Sequence, residues 1–233
     1  MSHGNIEKLT LLLLENAYSY HKYIFEEIKP FLRGKILEIG CGIGNLTFWL
    51  IQHLPVLAID MNEDYLELIQ KKFAKHPNLI NTLLWDIRRE PPKEIYNQFD
   101  TIVCSNVLEH IENDESVLMR FYNLLSNRGR VIIFVPALKI LYNQLDLELG
   151  HMRRYGKKDL FYKLNKCGFK IYQIKYFNIF GILGWFINGK LLKRKILPKD
   201  QLYIFDRLFP FLIKVEKIFP NTLGQSLIAI GEK

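Results

Sequence analysis

Between Leu37 and Thr47 the chain places glycines at alternate positions, Gly40, Gly42 and Gly44, with Glu38 just before them and Cys41 and Asn45 among them. Glycine lacks a Cβ and tolerates positive φ, so such a stretch can turn sharply and let a ligand come close to the backbone. An apolar helix is predicted to follow through Phe48, Trp49 and Ile51, and its free N–H groups would draw a polar or anionic ligand toward the turn. Asp60 stands about twenty residues further on, where a carboxylate can accept hydrogen bonds from both hydroxyls of a ribose. Further along come Asp86 with Ile87, then Ser105 with Asn106, then two histidines, His110 and His151. A histidine ionises near neutral pH and is the commonest proton acceptor, which makes both candidates for a general base. His151 is favoured, because its loop also carries Arg153, Arg154 and Tyr155. The arginines could hold phosphate or carboxylate by paired hydrogen bonds. Their ordinary alternative is a solvated pair, or a bridge to Asp146 or Glu148. Tyr155 could orient an acceptor or simply cover the core.

These residues need a frame. Short runs rich in Ile and Val read as strands at residues 35–39, 56–60, 79–85, 101–105 and 130–135, separated by amphipathic stretches, which predicts a parallel sheet with crossover helices. Asn62 can cap a helix whose Tyr65, Leu66, Ile69 and Phe73 share one stripe. Another helix carries Val117, Leu118, Phe121, Leu124 and Leu125, with Gly129 as its stop. Beyond the fifth strand, residues 158–166 read as a helix closed by Gly168, residues 169–176 as a strand and residues 225–230 as the last strand. The fold class expected is α/β, a Rossmann-like doubly wound sheet of seven mostly parallel strands with an antiparallel last strand. One domain is expected over residues 1–233, with a helical cap to residue 32, a cofactor half over 33–136, and an acceptor half over 137–233 that contains a helical insertion at about 177–224.

Composition sets bounds on this picture. At 233 residues, 49% hydrophobic and 24% charged, the chain can bury a core of its own. Cys41, Cys104 and Cys167 are far apart and form no metal-binding spacing, so reduced thiols in a cytoplasmic protein are expected. The apolar run Leu9 to Leu14 is too short for a signal segment or a membrane span. A net charge of +8 allows anionic partners without choosing among them.

The glycine spacing fails the dinucleotide fingerprint, which needs a small residue where Asn45 stands. It resembles instead the first motif of the class I S-adenosylmethionine-dependent methyltransferases, in which the acidic residue before the glycines helps to hold the methionine end. That resemblance implies S-adenosylmethionine as cofactor, with Asp60 on the ribose, Met61 along the adenine, Asp86 on the adenine amino group and the Ile87 backbone against the ring. The run from Phe99 to Ile111 resembles the branch acting on small molecules and lipids, with Ser105 and Asn106 facing the cofactor. The Asn-or-Asp, Pro-Pro, aromatic signature by which enzymes that methylate amino groups grip a planar nitrogen is absent there. Gly150-His151-Met152-Arg153-Arg154-Tyr155 resembles a loop found in a subset of the family.

Methyl transfer from a sulfonium is an in-line displacement governed by positioning and exclusion of water, and it requires no metal. The expected activity is therefore methylation, on oxygen, of a small-molecule or lipid- or sugar-linked acceptor. An RNA or protein methyltransferase and a non-catalytic cofactor-binding module are the alternatives, nucleic acid being disfavoured as a partner. The aromatic stretch from Tyr176 to Ile187, followed by Lys190, Lys193, Arg194 and Lys195, could touch the inner face of a membrane, an acceptor or another subunit. The sequence leaves the oligomeric state open.

Overall fold

In the computed structural model, which describes residues 3–218 and 222–233, the apolar runs form the strands expected of them. β1 (Ile36–Ile39), β2 (Val56–Asp60), β3 (Leu79–Leu84), β4 (Phe99–Ser105), β5 (Leu125–Pro136), β6 (Lys170–Phe177) and β7 (Ser226–Glu232) join in one sheet of order β3-β2-β1-β4-β5-β7-β6. The first five run parallel, and β7 lies antiparallel between β5 and β6. Central β1 and β2 are buried at every position, as strands covered on both faces must be, whereas the edge strands β3 and β6 are partly exposed.

The helices are α1 (His3–Glu15), α2 (Tyr18–Ile28), α3 (Thr47–Ile51), α4 (Glu63–Phe73), α5 (Asp114–Leu124), α6 (Gln144–Glu148), α7 (Lys157–Lys166), α8 (Ile179–Trp185) and α9 (Lys199–Glu216). Asn62 caps α4 by accepting the Asp64 N–H. Gly168, at φ +94°, ends α7 as expected. Gly129 does not end α5. The backbone of Leu125 is already extended and pairs with Phe99 of β4, so the sheet captures the chain as soon as the helix stops, and Gly129 sits inside β5.

Helices cover both faces of the sheet. Val117, Leu118 and Phe121 of α5 and Leu160 and Leu164 of α7 pack on one face, all fully buried. Ile24, Phe25 and Ile28 of α2, Leu66 and Ile69 of α4, and Phe209 and Ile213 of α9 pack on the other. Each such side chain contributes about 1.5–3 kcal/mol relative to exposure. The two ends of the chain are tied together where Asp206 of α9 accepts the backbone N–H groups of Ser19 and Tyr20, at 3.2 and 2.9 Å. That carboxylate satisfies free N–H groups at the start of α2, a role usually filled by a neighbouring side chain. It holds the N-terminal helices over the carboxyl ends of the strands.

Candidate active site

A cleft of about 330 Å³ opens at the carboxyl ends of β1, β2 and β4, within the size range of small-molecule sites. This is where an open α/β sheet binds its ligands. Glu38, Gly40, Cys41, Gly42 and Asn45 form one wall, and Asp60 and Met61 the next. Asp86, Ile87, Ser105, Asn106 and His110 continue it, while Leu11, Leu14, Tyr20, His21 and Ile24 roof it from α1 and α2. Gly44 lies behind the wall, against Phe73 and Ile69 of α4.

The turn after β1 has the backbone its glycines permit. Gly40 and Gly44 take φ of +68° and +90°, and a Cβ on them would meet Val107 at 2.4 Å and Phe73 at 2.8 Å. The Gly42 N–H donates to Asp60 Oδ2 at 2.9 Å and the Asn62 N–H to Oδ1 at 2.9 Å, so Asp60 braces the turn as well as facing the cleft. Helix α3 has only five residues. That is too short for the helix-end charge invoked from the sequence to carry the site, and the turn and the carboxylates do so instead.

Glu38 is nearly enclosed, and its Oε2 has no hydrogen-bond partner. Burial pushes its carboxyl up to about 8, with the charge of Asp60 adding to this and Thr47 opposing it. Burial also raises Asp60, against the backbone N–H groups of Gly42, Asn62 and Met61. Asp86 is held below the ordinary range by the hydrogen bonds of Arg88, whose Nε lies 2.9 Å from Oδ1.

These features test the cofactor. Three carboxylates face the cleft, one with a free buried oxygen, and no lysine or arginine lines it among the described residues. The pyrophosphate of a dinucleotide would meet acidic side chains there and no cationic one. A nucleoside carrying a sulfonium and an ammonium meets opposite charge, and the residues present fit S-adenosylmethionine.

The loops after β4 and β5 behave differently. His110, in a single turn Leu108–His110, lines the cleft, and burial with neighbouring His151 pulls it down to about 4, the Gly150 backbone opposing. His151 stands behind it, ring centroids 4.9 Å apart, and does not line the cleft. Its Nδ1 lies 2.9 Å from Asp146 Oδ1. Burial works against the ionised form of Asp146, but the hydrogen bond from His151, the charge of Arg154 and the indole N–H of Trp185 hold it below the usual value. An ionised Asp146 accepts, so Nδ1 of His151 carries the proton.

The other residues of this loop point away from any acceptor. Arg154 is 2% exposed, with Nε donating to Asp146 at 2.8 Å and Nη1 to the Ala137 carbonyl at 2.9 Å. Tyr155 is fully buried and donates to Asp114 at 2.7 Å. Arg153 bonds the Glu112 carbonyl and lies 3.4 Å from Asp114. The arginine pair expected from the sequence to clamp an anion is thus divided between a fully buried ion pair with Asp146 and a part-buried one with Asp114.

One member of the cluster, Glu109, escapes a reading of the sequence, while Asp146 takes the bridge to an arginine that the sequence offered as the alternative. Glu109 is fully buried beside the histidines, and burial pushes it up to about 7, against the charge of His151. Asp146 anchors His151, Arg154 and Trp185 together. The short spacing from Asp146 to His151 and Arg154 is the one signal that points to it, and that spacing fits an ordinary salt bridge equally well.

Residues 37–131 match the family model described as a methyltransferase domain. The chain is 20% identical over 220 residues to malonyl-[acyl-carrier protein] O-methyltransferase 1 of Ilyobacter polytropus, covering 84% of this chain and 81% of that one. It is 25% identical over 144 residues to the mitochondrial ubiquinone biosynthesis O-methyltransferase of Schizosaccharomyces pombe, with 61% of this chain and 53% of that one covered. It thus spans four fifths of the first relative's length and about half of the second's. Among solved structures, an S-adenosylmethionine-dependent methyltransferase from Mesorhizobium loti superposes with a TM-score of 0.62 at 16% identity, over 90% of this chain and 97% of that one. Haemonchus contortus phosphoethanolamine N-methyltransferase 2, in complex with S-adenosylmethionine, gives 0.62 at 17%, over 92% and 52%. Residues 37–131 are thus a methyltransferase domain, and the matches support an enzyme that uses S-adenosylmethionine.

Proposed function

We propose that this methyltransferase acts on an oxygen of a small-molecule or lipid- or sugar-linked acceptor. The observation that carries the reading is one cleft with three carboxylates at one end and a neutral imidazole, His110, at the other. The names of the two relatives, both O-methyltransferases, support the choice of oxygen. So does the run from Ser105 to His110, which lacks the pattern that grips planar amino groups.

In this reading residues 33–136 are the cofactor half and residues 137–233 the acceptor half. Glu38 and the turn of Gly40, Cys41, Gly42, Gly44 and Asn45 hold the methionine end. Asp60 takes the ribose, Met61, Asp86 and Ile87 the adenine, and Ser105 and Asn106 the space between cofactor and acceptor. Bound there, S-adenosylmethionine supplies an electrophilic methyl carbon. The chain's own contribution is to align the acceptor oxygen and to keep water out under α1 and α2. His110 can accept the acceptor's proton, since its lowered pKa keeps it neutral at physiological pH. His151, favoured as the base from sequence, backs His110 rather than facing the cleft. Arg154 and Tyr155 shape the loop from within, and Arg153 lies at its rim.

The test is purified protein with methyl-labelled cofactor and fractionated extract, followed by mass spectrometry of the labelled product. A labelled methyl ether or ester is expected, with turnover lost and cofactor affinity kept in His110→Ala. Label only on nitrogen would reject the acceptor class, and no binding of cofactor or its demethylated product would reject the site.

A surface observation favours a further element of this reading, peripheral contact of a cytoplasmic enzyme with the inner face of a membrane. Leu191, Leu192, Tyr203, Ile204 and Phe211 are more than half exposed, beside Lys193, Lys195 and Arg207. No helix among the described residues is long and apolar enough to cross a membrane. Co-sedimentation with phosphatidylserine vesicles but not with phosphatidylcholine vesicles is expected, and equal recovery from both would remove this element.

A further inference from the structure

Behind the acceptor end of the cleft, the turn after β4 and the loop after α6 bring together Glu109, His110 and His151. One ligating atom from each lies within 4.8 Å of the others. Both carboxylate oxygens of Glu109 are shut off from solvent and have no hydrogen-bond partner. His151 Nε2 is 3.8 Å from Oε1 of Glu109, beyond hydrogen-bond reach. A buried carboxylate without a donor is costly, and no side-chain donor among the described residues reaches this one.

The surroundings of His151 indicate what would satisfy it. Asp146 fixes the orientation of the ring by accepting from Nδ1, which leaves Nε2 bare and aimed at Glu109. Asp146 is itself held by Arg154 at 2.8 Å and by the indole N–H of Trp185 at 3.0 Å. A carboxylate bonded to one ring nitrogen, with the other nitrogen left for a cation, is how proteins orient a metal-binding histidine.

We propose that Glu109, His110 and His151 bind a divalent transition-metal cation, with Asp146 as the positioning residue that presents His151. Two imidazole nitrogens and one carboxylate oxygen suit zinc, manganese, iron or cobalt better than magnesium or calcium, and they leave coordination positions free. Because His110 also lines the cleft, those positions open toward the acceptor. This departs from the expectation that no metal is required. Binding of the cation stands independently of the acceptor, while its use rests on the oxygen-methylation reading: with the cation bound, His110 serves as ligand rather than base, and a hydroxyl bound to the cation loses its proton more easily.

The experiment uses tag-free full-length protein, stripped with chelator and dialysed against zinc, manganese or cobalt, with bound metal counted by mass spectrometry. One ion per chain is expected for at least one of these metals, with visible absorption of four- or five-coordinate cobalt. Glu109→Gln should weaken binding by about tenfold or more, and Asp146→Asn should do so by about tenfold through misplacement of His151. His110→Gln, at a partly exposed position, gives the same reading if the buried variants fail to fold by circular dichroism. Retention of no metal by the wild type, or equal retention by wild type and His110→Gln, overturns the proposal. Affinity for S-adenosylhomocysteine, measured on the same samples, separates this outcome from failure of the cofactor site. A chain that binds the metal but not the nucleoside breaks the latter alone.

Discussion

At one end of the cleft, the wall consists of backbone turns and carboxylates close to one another in sequence or one strand apart. At the acceptor end, the polar residues of the loop after β5 fold inward. Asp60 keeps contact with the cleft while accepting two N–H groups. Arg154, with as much hydrogen-bonding capacity, directs it to Asp146 and a buried carbonyl. The difference is one of solvation. The first wall is braced by main-chain atoms, so its side chains remain available to a ligand. The second has little regular structure of its own, and its charged side chains hold the loop together, pinning Trp185 and with it the C-terminal helices. Motif residues of the two kinds look alike on paper.

Four substitutions would sharpen or break this contrast. The largest effect is expected from Arg154→Ala, which leaves Asp146 buried without its guanidinium and should cost about 3–5 kcal/mol of stability in denaturant unfolding. Mild loss, with a large change in acceptor affinity alone, would return Arg154 to the acceptor site. Asp60→Ala should weaken binding of S-adenosylhomocysteine by tenfold to about a hundredfold in calorimetry, through loss of charged hydrogen bonds and of the brace on Gly42. Unchanged affinity would show that the turn alone suffices.

Tyr155→Phe removes a buried hydroxyl from Asp114 and should lower stability by about 1–3 kcal/mol with cofactor affinity unaltered. A selective rise in acceptor KM would contradict a purely structural role for Tyr155. The fourth effect is a pH slope. The carboxyl of Glu38 sits at about 8 in the folded chain against 4.5 ordinarily, so the folded state holds a proton that the unfolded state releases. Its contribution is complete below pH 4.5 and is lost as the pH rises through 8. The melting temperature of the ligand-free protein should therefore fall over that interval, and Glu38→Gln should flatten the decline. Glu109, raised to about 7, adds a slope of the same sign that ends lower.

Much of this protein was legible from local pattern. Short runs rich in Ile and Val suit strands buried on both faces, and alternate glycines after the first of them admit the positive φ seen at Gly40, Gly42 and Gly44. The sheet, the Asn62 cap and the order of the cofactor motifs followed from residues close together in sequence. Leu125 did not, because a leucine on a helical stripe is equally at home in a strand, and pairing with Phe99 decided the matter.

The sequence by itself determined the parallel sheet, the turn after β1 and the line of carboxylates that a sulfonium nucleoside requires, since each depends on backbone permission and neighbours a few residues away. Only the tertiary structure decided that His110 rather than His151 lines the cleft, that Arg154 and Tyr155 point inward, and that Glu109 lies buried without a donor. Those outcomes depend on which loops meet across the sheet and on the cost of leaving charge unpaired, and no spacing along the chain encodes either.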